Sequence, residues 1–395
     1  MPNHRRLSLT ASLLAVGCAW GPVSWADDFE WIGESPFAPT AFGADGNWVN
    51  LTQPGSPDTD GFPGFNDTAI FTIDARVDNG GAKNFVIEPQ ATLTIGPGTM
   101  FVADGVVTND GVIRTGAEPS YDGLGVIGSA TLTGSGELVM SGGNAGIRNN
   151  GVTQLTHEGG HTIRGHGTID VGFVNHGTLF ADSAAGSISV VDSTLTTFTL
   201  DTPTGVMAVR LDGPGFADSG AFVFNTNAID LGGVLKLVAG ENLDVQVGDV
   251  YTFFSSTGVS GSLGDTVFAA VDLSEAGPYS FDVIYTDNTV SVLVTGVLLP
   301  GDANGDGVVD LLDFDILAQN FGAPGNGLGI PNGVADGDFN GDGAVDLLDF
   351  DTLAQNFGSS SPASVPGAIP GAVPEPASLA TLGLGGLWAA RRRRS

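Results

Sequence analysis

The sequence of 395 residues is poor in cysteine and in positive charge. It contains one cysteine, Cys18, and 13 Lys and Arg against 44 Asp and Glu. A net charge of −31 leaves no basic surface for phosphate, which excludes a nucleic-acid-binding protein. Charged residues make up only 14% of the chain, so the negative net charge results from a shortage of Lys and Arg. A hydrophobic share of 42% is enough for a packed core and argues against intrinsic disorder.

Glycine, by contrast, is unusually common. The chain has 61 glycines, about 15% of its residues against a usual share of about 7%. This composition disfavours long helical repeats and suits an architecture with many strands and turns. The length allows one large domain with small appendages. We therefore expect a mainly β protein.

Residues 1–26 have the composition of a secretory signal peptide. Arg5 and Arg6 precede an apolar run, and the small residue Ala26 closes a cleavage site. An alternative is a lipoprotein signal that ends at Cys18, although residue 15 is Ala rather than the usual Leu. Cleavage after Ala26 removes Cys18, so no disulfide can stabilise the mature chain. Its stability then has to come from packing and bound metal.

The last residues combine a short apolar segment with a cluster of positive charge. Residues 377–390 carry no charge, and Arg391–Arg394 follow them. A helix over this apolar segment spans about 21 Å, less than the hydrocarbon core of about 30 Å. The pattern predicts a transient membrane contact, with the arginine cluster on the cytoplasmic side.

The order Val-Pro-Glu-Pro (373–376), apolar segment and arginine cluster resembles the PEP-CTERM sorting tail of Gram-negative bacteria. The resemblance implies export to the cell envelope, outer surface or matrix. It also implies processing at Pro374, Glu375 and Pro376 by a membrane transpeptidase of the exosortase kind. An ordinary tail anchor is the alternative. Residues 359–372, rich in Pro, Ser, Ala and Gly, predict a flexible linker before the tail.

Residues 27–298 predict a β-rich body. Short alternating apolar runs recur at close spacing, and Gly, Asn or Asp punctuates nearly every one. This pattern is typical of short strands separated by turns. Some segments, such as 165–171 and 175–180, are irregular repeats of one another in sequence. Such repeats predict the stacked turns of a right-handed parallel β-helix. No strict period is present, so a jelly-roll β-sandwich is the alternative fold.

The length of the predicted strands changes towards the end of this body. From about residue 221 the predicted strands become longer, as a terminal cap of a solenoid would require. The segments 232–237 and 248–254 are similar to the closing part of autotransporter-type β-helix passengers. The opening, with Trp31 and the run 47–50, resembles the first turns of large secreted planctomycete-type proteins.

One short motif matches the H-E-x-x-H string of zinc proteases. It runs from His157 to His161. Zinc chemistry needs both histidines on one helical face, one turn apart. Gly159 and Gly160 lie between them and further glycines follow, which disfavours a helix. The pattern therefore favours a corner between strands over a metal site.

The sequence does not identify a catalytic residue. Glycoside hydrolysis needs two acidic groups that flank one bond, and the body offers many Asp but only seven Lys and Arg. No Ser-His-Asp arrangement, cysteine nucleophile or phosphate-binding loop stands out. A polysaccharide lyase, a glycoside hydrolase or a carbohydrate-binding component therefore stays an alternative to a non-catalytic protein.

A duplicated acidic loop is the strongest signal in the chain. Residues 302–322 and 338–358 are identical at 18 of 21 positions. Each loop has oxygen-bearing side chains at positions 1, 3, 5, 9 and 12, a backbone carbonyl at position 7 and Gly at position 6, as a calcium loop requires. We expect two Ca²⁺ ions. The predicted ligands are Asp302, Asn304, Asp306, Val308, Asp310 and Asp313 in loop 302–313, and Asp338, Asn340, Asp342, Ala344, Asp346 and Asp349 in loop 338–349.

An amphipathic helical pattern follows each loop and ends at Gly322 or Gly358, whereas only turn formers precede it. A duplicated loop with only its exiting helix resembles a type I dockerin domain, here over 301–358. Thrombospondin-type repeats share the loop but not the helix. The resemblance implies docking to a cohesin-like partner through loop positions 10 and 11. These positions hold Leu311, Leu312, Leu347 and Leu348.

The family usually has small hydroxylated residues at these four positions, so the leucines depart from its pattern at the partner-selecting residues. An apolar pair could dock on a different cohesin or pack against the β-rich body. A calcium-stapled module without a partner is a further alternative. Taken together, the patterns predict an exported structural or adhesion-type protein of the cell surface, with an extracellular polysaccharide as a further candidate partner.

Overall fold

The computed structural model describes residues 26–360, apart from gaps at 34–41, 44–46, 53–61, 79, 97, 99, 116–122, 150–153, 183–185, 192–196, 201–203, 214–218, 226–227, 241–242, 244, 257–265 and 324–332. The sorting tail, most of the predicted signal peptide and most of the predicted linker lie outside these residues. The described part of the chain is mainly β. It contains no helix with the length and apolar character needed to cross a membrane.

The described residues form 27 strands and two α-helices. The first strands are β1 (Asp28–Trp31), β2 (Trp48–Asn50), β3 (Thr68–Phe71), β4 (Ala75–Val77), β5 (Gly80–Ala82), β6 (Asn84–Ile87), β7 (Thr92–Ile95), β8 (Met100–Ala103), β9 (Val106–Asn109), β10 (Val112–Arg114), β11 (Gly123–Val126), β12 (Ser129–Thr133), β13 (Glu137–Asn149) and β14 (Gln154–His157). They continue with β15 (Thr162–Asp170), β16 (Gly172–Asn175), β17 (Thr178–Ala181), β18 (Ile188–Val191), β19 (Thr197–Leu200), β20 (Val206–Leu211), β21 (Phe222–Asn225), β22 (Ala228–Asp230), β23 (Val234–Ala239), β24 (Val250–Ser256), β25 (Ala270–Glu275), β26 (Tyr279–Tyr285) and β27 (Thr289–Val297). The helices are α1 (Leu311–Asn320) and α2 (Leu347–Asn356), with a short 3-10 helix at Val334–Asp336 between them.

The strands of the body pair in three parallel ladders. The first ladder contains β3, β6, β9, β12, β14, β16, β19 and β22. The second contains β4, β7, β10, the first part of β13 and of β15, β17, β20, β23 and β25. The third contains β5, β8, β11, the second part of β13 and of β15, β18, β21 and β24. Parallel pairing does not fit the alternative jelly roll, which is built from antiparallel Greek keys.

The core of the body lies between these ladders. Strand residues alternate between buried and outward side chains, as the two-residue period of a strand requires. Equivalent side chains of neighbouring strands stack in columns. The ring centroids of Phe173 and Phe198 are 6.0 Å apart, those of Phe198 and Phe224 are 4.8 Å apart, and Phe254 lies 4.6 Å from Phe224. This packing stabilises the body without a disulfide.

A chain of four polar side chains is buried in the same core. Asn109 Nδ2 donates to His161 Nε2 at 2.9 Å, and His161 Nδ1 donates to His157 Nε2 at 3.0 Å. His157 Nδ1 then donates to Asn175 Oδ1 at 2.6 Å. The hydrogen-bond network assigns both imidazoles as neutral, with the proton on Nδ1. Burial lowers the pKa of His157 to about 4 and that of His161 to about 3.

The end of the body changes its pairing. The parallel ladders continue past residue 221, where the terminal cap was predicted to begin, and reach β24 and β25. Strands β21 and β22 are still only four and three residues long, and strands of six to nine residues follow from β23 onwards. There β27 pairs antiparallel with β24 and with β26. The connection to the helical module is short, and hydrogen bonds hold it to the body at one end and to the first acidic loop at the other. Leu298 N donates to Pro278 O at 2.8 Å, and Asp302 N donates to Leu299 O at 2.8 Å.

Candidate functional site

The two acidic loops have the same backbone, as their near-identical sequences predict. Gly305 and Gly307 in the first loop have φ of 70° and 82°, and Gly341 and Gly343 in the second have 75° and 84°. These left-handed conformations favour glycine, so the calcium-loop glycines stand where the chain turns sharply. A helix follows each loop, and the described residues directly before the second loop form a short 3-10 helix, Val334–Asp336.

In the first loop, two fully buried carboxylates are surrounded by backbone N–H groups. Asp302 accepts hydrogen bonds from Gly305 N at 2.9 Å and from Gly307 N at 3.0 Å. Asp313 accepts from Asn304 N at 3.1 Å and from Asp310 N at 2.8 Å. Both side chains are 0% exposed. The first and the last predicted ligands of the loop therefore hold its two ends together.

The second loop repeats this arrangement. Asp338 accepts from Gly341 N at 2.8 Å and from Gly343 N at 2.7 Å, and Asp349 accepts from Asp346 N at 2.8 Å. The middle ligands also repeat: Asn304 and Asn340 each accept from the N–H two residues ahead at 2.8 Å, and Asp306 and Asp342 do so at 2.9 and 3.0 Å. Equal sequences thus give equal local networks.

The ninth residue of each loop also begins the helix. Asp310 Oδ1 accepts from Leu312 N at 2.7 Å, and Asp313 accepts from Asp310 N, which completes a capping box. Asp346 and Asp349 do the same for α2. Capping of this kind satisfies the free N–H groups of the first turn and places negative charge at the positive end of the helix. The predicted ligands therefore position the helices as well as the loops.

The two copies are joined by a pair of equivalent hydrogen bonds, one in each direction. Gly322 N, just after α1, donates to Val345 O of the second loop at 2.9 Å, and Gly358 N, just after α2, donates to Val309 O of the first loop at 2.8 Å. The rings of Phe314 and Phe350 lie 6.1 Å apart. The two hydrogen bonds are equivalent to each other under the 36-residue repeat, and the two phenylalanines occupy the same position of each copy. The module therefore has an approximate twofold relation, which the duplication alone did not guarantee.

The electrostatics of the loops fit a divalent cation. Burial, joined by the nearby carboxylates of Asp313 and Asp306, raises the pKa of Asp302. Burial likewise raises the pKa of Asp338. Residues 301–358 contain 11 Asp and no Lys or Arg, so no side-chain cation compensates these buried charges. Carboxylate, amide and backbone oxygens are the donors that Ca²⁺ prefers.

The individual ligand assignments stay predictions. In the described part of the chain, no three His, Cys, Asp or Glu side chains are grouped closely enough to hold a metal ion by themselves. The carboxylates accept backbone N–H groups instead, and each predicted set also includes an Asn side chain and the backbone carbonyl of Val308 or Ala344. The donor chemistry and the uncompensated charge are thus what support calcium here.

The four predicted docking residues are all exposed. Leu311 and Leu312 are 67% and 57% exposed, and Leu347 and Leu348 are 70% and 60% exposed. We call these four residues the leucine face. They do not pack against the β-body, which removes one of the two alternatives for the apolar pair. One of the four, Leu347, also lines an apolar groove together with Phe314, Leu317, Ala318, Phe321 and Phe350.

Sequence reasoning missed how the module joins the body. Its small core of Val309, Leu317, Val345 and Leu353 is joined by Phe339 from the second copy and by Leu299 from the connection to β27. Phe339 corresponds to Ala303 in the first copy, one of three positions at which the repeats differ. The difference between Ala303 and Phe339 was the sequence feature that could have indicated this contact. A small residue at 303 suits the place where the β-body approaches the first loop.

The zinc-like motif is not a metal site. His157 ends β14, and His161 precedes β15 after a turn, so the two lie in a corner rather than on a helix. The buried hydrogen-bond chain engages both nitrogens of His157 and both of His161. No lone pair is left for zinc. The expectation of a strand corner is confirmed.

Four cations on the second ladder, Arg76, Arg164, Arg210 and Lys236, pair with carboxylates. Arg164 binds Glu137 through Nε at 2.6 Å and Asp182 through Nη1 at 2.9 Å. The hydrogen bond from Arg164 is the main cause that lowers the pKa of Glu137. Lys236 similarly pairs with Glu275 at 2.5 Å. A carboxylate held ionised in this way suits an ion pair rather than a general acid.

The processing residues are mostly outside the described range. Ala26 is the first described residue and is exposed. Pro374, Glu375, Pro376 and the apolar segment 377–390 lie beyond it.

Comparison with protein families agrees with both C-terminal resemblances. Residues 300–358 match the dockerin type I domain, and residues 372–394 match the PEP-CTERM protein-sorting motif. No curated protein matches the chain. Type I dockerin domains typically bind calcium and imply a cohesin partner, and the sorting motif implies export with exosortase-mediated sorting. The C-terminal part of this chain is therefore a type I dockerin domain followed by a PEP-CTERM sorting motif.

Proposed function

We propose that the protein is an exported structural or adhesion-type protein of the cell surface or extracellular matrix, which docks a cohesin-like partner through its calcium-loaded dockerin domain. The observation that carries this proposal is the leucine face. Four apolar side chains at the two equivalent recognition positions are more than half exposed, and each pair begins a helix capped by its own acidic loop. Exposed large apolar side chains that are grouped on a domain surface mark interaction sites.

The proposed calcium sites are the two loops, with one ion in each. Asp302, Asn304, Asp306, Asp310 and Asp313, with the carbonyl of Val308, would hold the first ion. Asp338, Asn340, Asp342, Asp346 and Asp349, with the carbonyl of Ala344, would hold the second. Bound calcium would supply charge compensation for the buried carboxylates and so fix the helices whose first turns they cap. The loops would thus orient the leucine face.

We propose a right-handed parallel β-helix for the body, with residues 27–298 as its extent and the antiparallel strands β26 and β27 as part of its cap. Three parallel ladders with stacked inner columns support this reading. Strands that contribute in turn to each ladder are what a solenoid with three strands per turn produces. Such a body would be a rigid displayed element, with the dockerin domain between it and the sorting tail.

A structural role for the body is favoured over catalysis. Outward Arg164, Arg210 and Lys236 bind neighbouring carboxylates, which leaves little uncompensated positive charge for an acidic polysaccharide. Glu137 is held ionised by Arg164. A polysaccharide-degrading or carbohydrate-binding role is the second candidate, and the alignment of these ion pairs on one outer face is the observation in its favour.

The remaining segments serve export in this proposal. Residues 1–26 would direct secretion, 359–372 would link the dockerin domain to the tail, and 373–395 would direct sorting. The apolar segment 377–390 would contact the membrane transiently while the exosortase acts near Pro374. The outcome is a protein displayed at the envelope of a Gram-negative-type cell or released into its matrix.

The test is capture of a cohesin domain by residues 27–372 at saturating calcium. The bait is immobilised and exposed to the secreted proteins of the source organism, and the bound proteins are identified and re-tested as purified domains. Recovery of a cohesin domain that is lost with chelator supports the proposal. The variant Leu311→Ser with Leu347→Ser should abolish capture, whereas Ile73→Ser, an exposed residue of the body, should leave it unchanged. Calcium-independent capture, or capture by the leucine variant, would contradict the docking proposal.

A further inference from the structure

Burial in the body begins at the residue that the predicted cleavage site makes the first of the mature chain. Ala26 is exposed, whereas Asp27 is only 3% exposed. Asp27 lies directly before β1 and opposite Asp67, which lies directly before β3, because the parallel register pairs Asp28 with Thr68. The Thr68 N–H group donates to the Asp27 carbonyl at 2.9 Å. The backbone of Asp27 is therefore fixed as part of the fold.

The nitrogen of Asp27 faces a carboxylate. It donates to Asp67 Oδ1 at 3.0 Å, and the other oxygen of Asp67 accepts from the Gly64 N–H group at 2.7 Å. Among the described residues, no Lys or Arg forms an ion pair with Asp27 or Asp67. The charge of Asp67 is thus met by backbone N–H groups and by no side-chain cation.

The side chain of Asp27 adds a second carboxylate at the same place. Its Oδ2 accepts from Asn50 Nδ2 on β2 at 3.0 Å, whereas its Oδ1 is buried without a hydrogen-bond partner. A buried carboxylate is costly unless it is paired, so this oxygen favours a positively charged donor nearby. Three bonds separate the carboxyl carbon from the nitrogen of the same residue. A charged group at that nitrogen would therefore lie close to both carboxylates.

Cleavage of the signal peptide supplies such a group. A signal peptidase hydrolyses the bond between Ala26 and Asp27 with one water molecule, which leaves the new carboxylate on Ala26 and an amine on Asp27. The ordinary pKa of an α-amino group is about 7.7–8.0, so at neutral pH the amine takes up a proton. The resulting ammonium carries three N–H donors and a positive charge, whereas the amide nitrogen of the uncleaved chain has one N–H and no charge.

We propose that cleavage after Ala26 creates an ion pair between the α-ammonium group of Asp27 and the carboxylates of Asp67 and Asp27 itself, which holds β1 to β3 in the mature protein. The inference rests on the proposed function in one respect, because it takes residues 1–26 as the signal for secretion. One N–H group keeps the bond to Asp67, and the others are available to Asp27 Oδ1. Charge-assisted hydrogen bonds of this kind are stronger than neutral ones. The N-terminal end of the body is then completed only when the signal peptide has been removed.

The experiment compares two forms of the chain that differ only at the N-terminus. The first form covers residues 27–395 and begins with the free amine of Asp27, after removal of a fusion tag that leaves no extra residue. The second form covers residues 24–395, so the nitrogen of Asp27 stays an amide. Hydrogen exchange at pH 6 follows the Thr68 amide, which donates to the carbonyl of Asp27. It should be about tenfold more protected in the first form, as one charge-assisted hydrogen bond would produce.

The pH dependence distinguishes an ion pair from a change of chain length. Carboxylate neighbours favour the charged form of an amine, so the extra protection should be full below about pH 7.7 and should decrease as the pH rises further. The remaining titratable side chains of β1, β2 and β3 and of the residue before β6 are Asp28, Glu30 and Lys83. They are the same in both forms, so their contributions cancel in the comparison.

A pair of matched variants tests the partner of the ammonium group. Asp67→Asn should remove the difference in protection between the two forms. Asp74→Asn is the control, because Asp74 is an exposed carboxylate beyond the other end of β3 and also accepts a backbone N–H group, from Thr92 at 2.8 Å. This variant should leave the difference unchanged. Circular dichroism and the protection of the strands around Phe198 check that each variant is folded.

The natural processing site is tested separately. N-terminal sequencing of the exported protein should give Asp27 as its first residue. Equal protection in the two forms, a difference that survives Asp67→Asn, or an exported chain that begins at another residue would overturn the inference. Absence of any exported chain would instead contradict the proposed export. None of these readouts uses a docking partner, so the docking proposal can fail or succeed independently.

Discussion

The β-body and the dockerin domain stabilise the same cysteine-poor chain in different ways. The body buries long columns of apolar side chains, with aromatic rings stacked from strand to strand. In the dockerin domain, the described apolar core consists of four buried residues with Leu299 and Phe339 beside them. A core of that size rarely supports a domain below about 70 residues. The comparison teaches that acidic loops replace apolar packing as the centre of the smaller domain.

Charge shows the same contrast. Several outward cations of the body are paired with carboxylates, as Arg164 is with Glu137 and Asp182. The dockerin domain buries Asp302, Asp313, Asp338 and Asp349 without any Lys or Arg in its sequence. Buried carboxylates without a partner are costly. The domain is therefore expected to depend on an external cation, whereas the body is not.

The largest expected effect comes from removing the first ligand of both loops. Asp302→Ala with Asp338→Ala should abolish the helical circular dichroism of the dockerin domain even at saturating calcium, because each side chain closes its loop through two backbone hydrogen bonds and supplies a proposed ligand. The β signal should remain. Asp315→Ala with Asp351→Ala, exposed residues of the same helices, is the matched control and should keep both signals. Retained helices in the first variant would remove the contrast between the two regions.

A cavity-forming substitution in the body should destabilise the body and leave the dockerin domain unaffected. Phe198 is 1% exposed and lies between Phe173 and Phe224, so Phe198→Ala should lower the free energy of unfolding of the body by about 3–5 kcal/mol. Calcium affinity, measured by titration calorimetry, should not change. Val106→Ala, at a 42% exposed position, should alter stability by less than about 0.5 kcal/mol. A changed calcium affinity in Phe198→Ala would show that the two regions are not independent.

Acid should weaken the body through its buried histidines. The pKa values of His157 and His161 are lowered by burial to about 4 and 3, so between pH 6.5 and about 4 the unfolded chain binds protons that the folded chain does not. The free energy of unfolding should therefore fall as the pH falls through this window, by up to about 1.4 kcal/mol per pH unit for each histidine. Urea unfolding at several pH values measures the slope. His157→Gln with His161→Gln should flatten it, whereas His166→Gln, at an outward half-buried residue, should not; equal slopes would refute the assignment.

The smallest expected effect on stability is at the docking surface. Leu311→Ser with Leu347→Ser should change the unfolding free energy of the dockerin domain by no more than about 0.5 kcal/mol, because both side chains are more than two-thirds exposed. Its calcium affinity should also stay the same. Chemical denaturation and calcium titration provide the two numbers. A large loss of stability would mean that these leucines are structural rather than recognition residues.

The dockerin domain could be predicted closely from the sequence because its signals are local. Spacing within twelve residues defines each loop, and the periodic apolar residues end at Gly322 and Gly358, which have φ of 73° and 83°. The contact between the two copies and the packing of Leu299 could not be predicted from the sequence. The first depends on residues far apart in the chain, and the second on a residue outside the repeat. The exposure of the leucine pairs also needed the folded domain, because the pattern allowed packing against the body.

The body was predictable in its strands but not in its pairing. Runs at 68–73 and 250–254 correspond closely to Thr68–Phe71 and Val250–Ser256. The three ladders could not be predicted because the connections between strands vary in length, with one residue between β15 and β16 but ten between β20 and β21. This variation removes any strict period. The partners of His157 and His161 were hidden for the same reason, since they come from Asn109 and Asn175 on other strands.

Calcium removal, followed by two probes at once, tests the central contrast most directly. Residues 27–372 are titrated with a chelator while far-UV circular dichroism follows the strands and hydrogen exchange follows α1, α2 and the strands separately. We predict that the amides of Leu317 and Leu353 lose their protection, that those of the stacked strands around Phe198 keep theirs, and that added calcium restores the helices. Helices that stay protected without calcium, or strands that open together with them, would contradict the account.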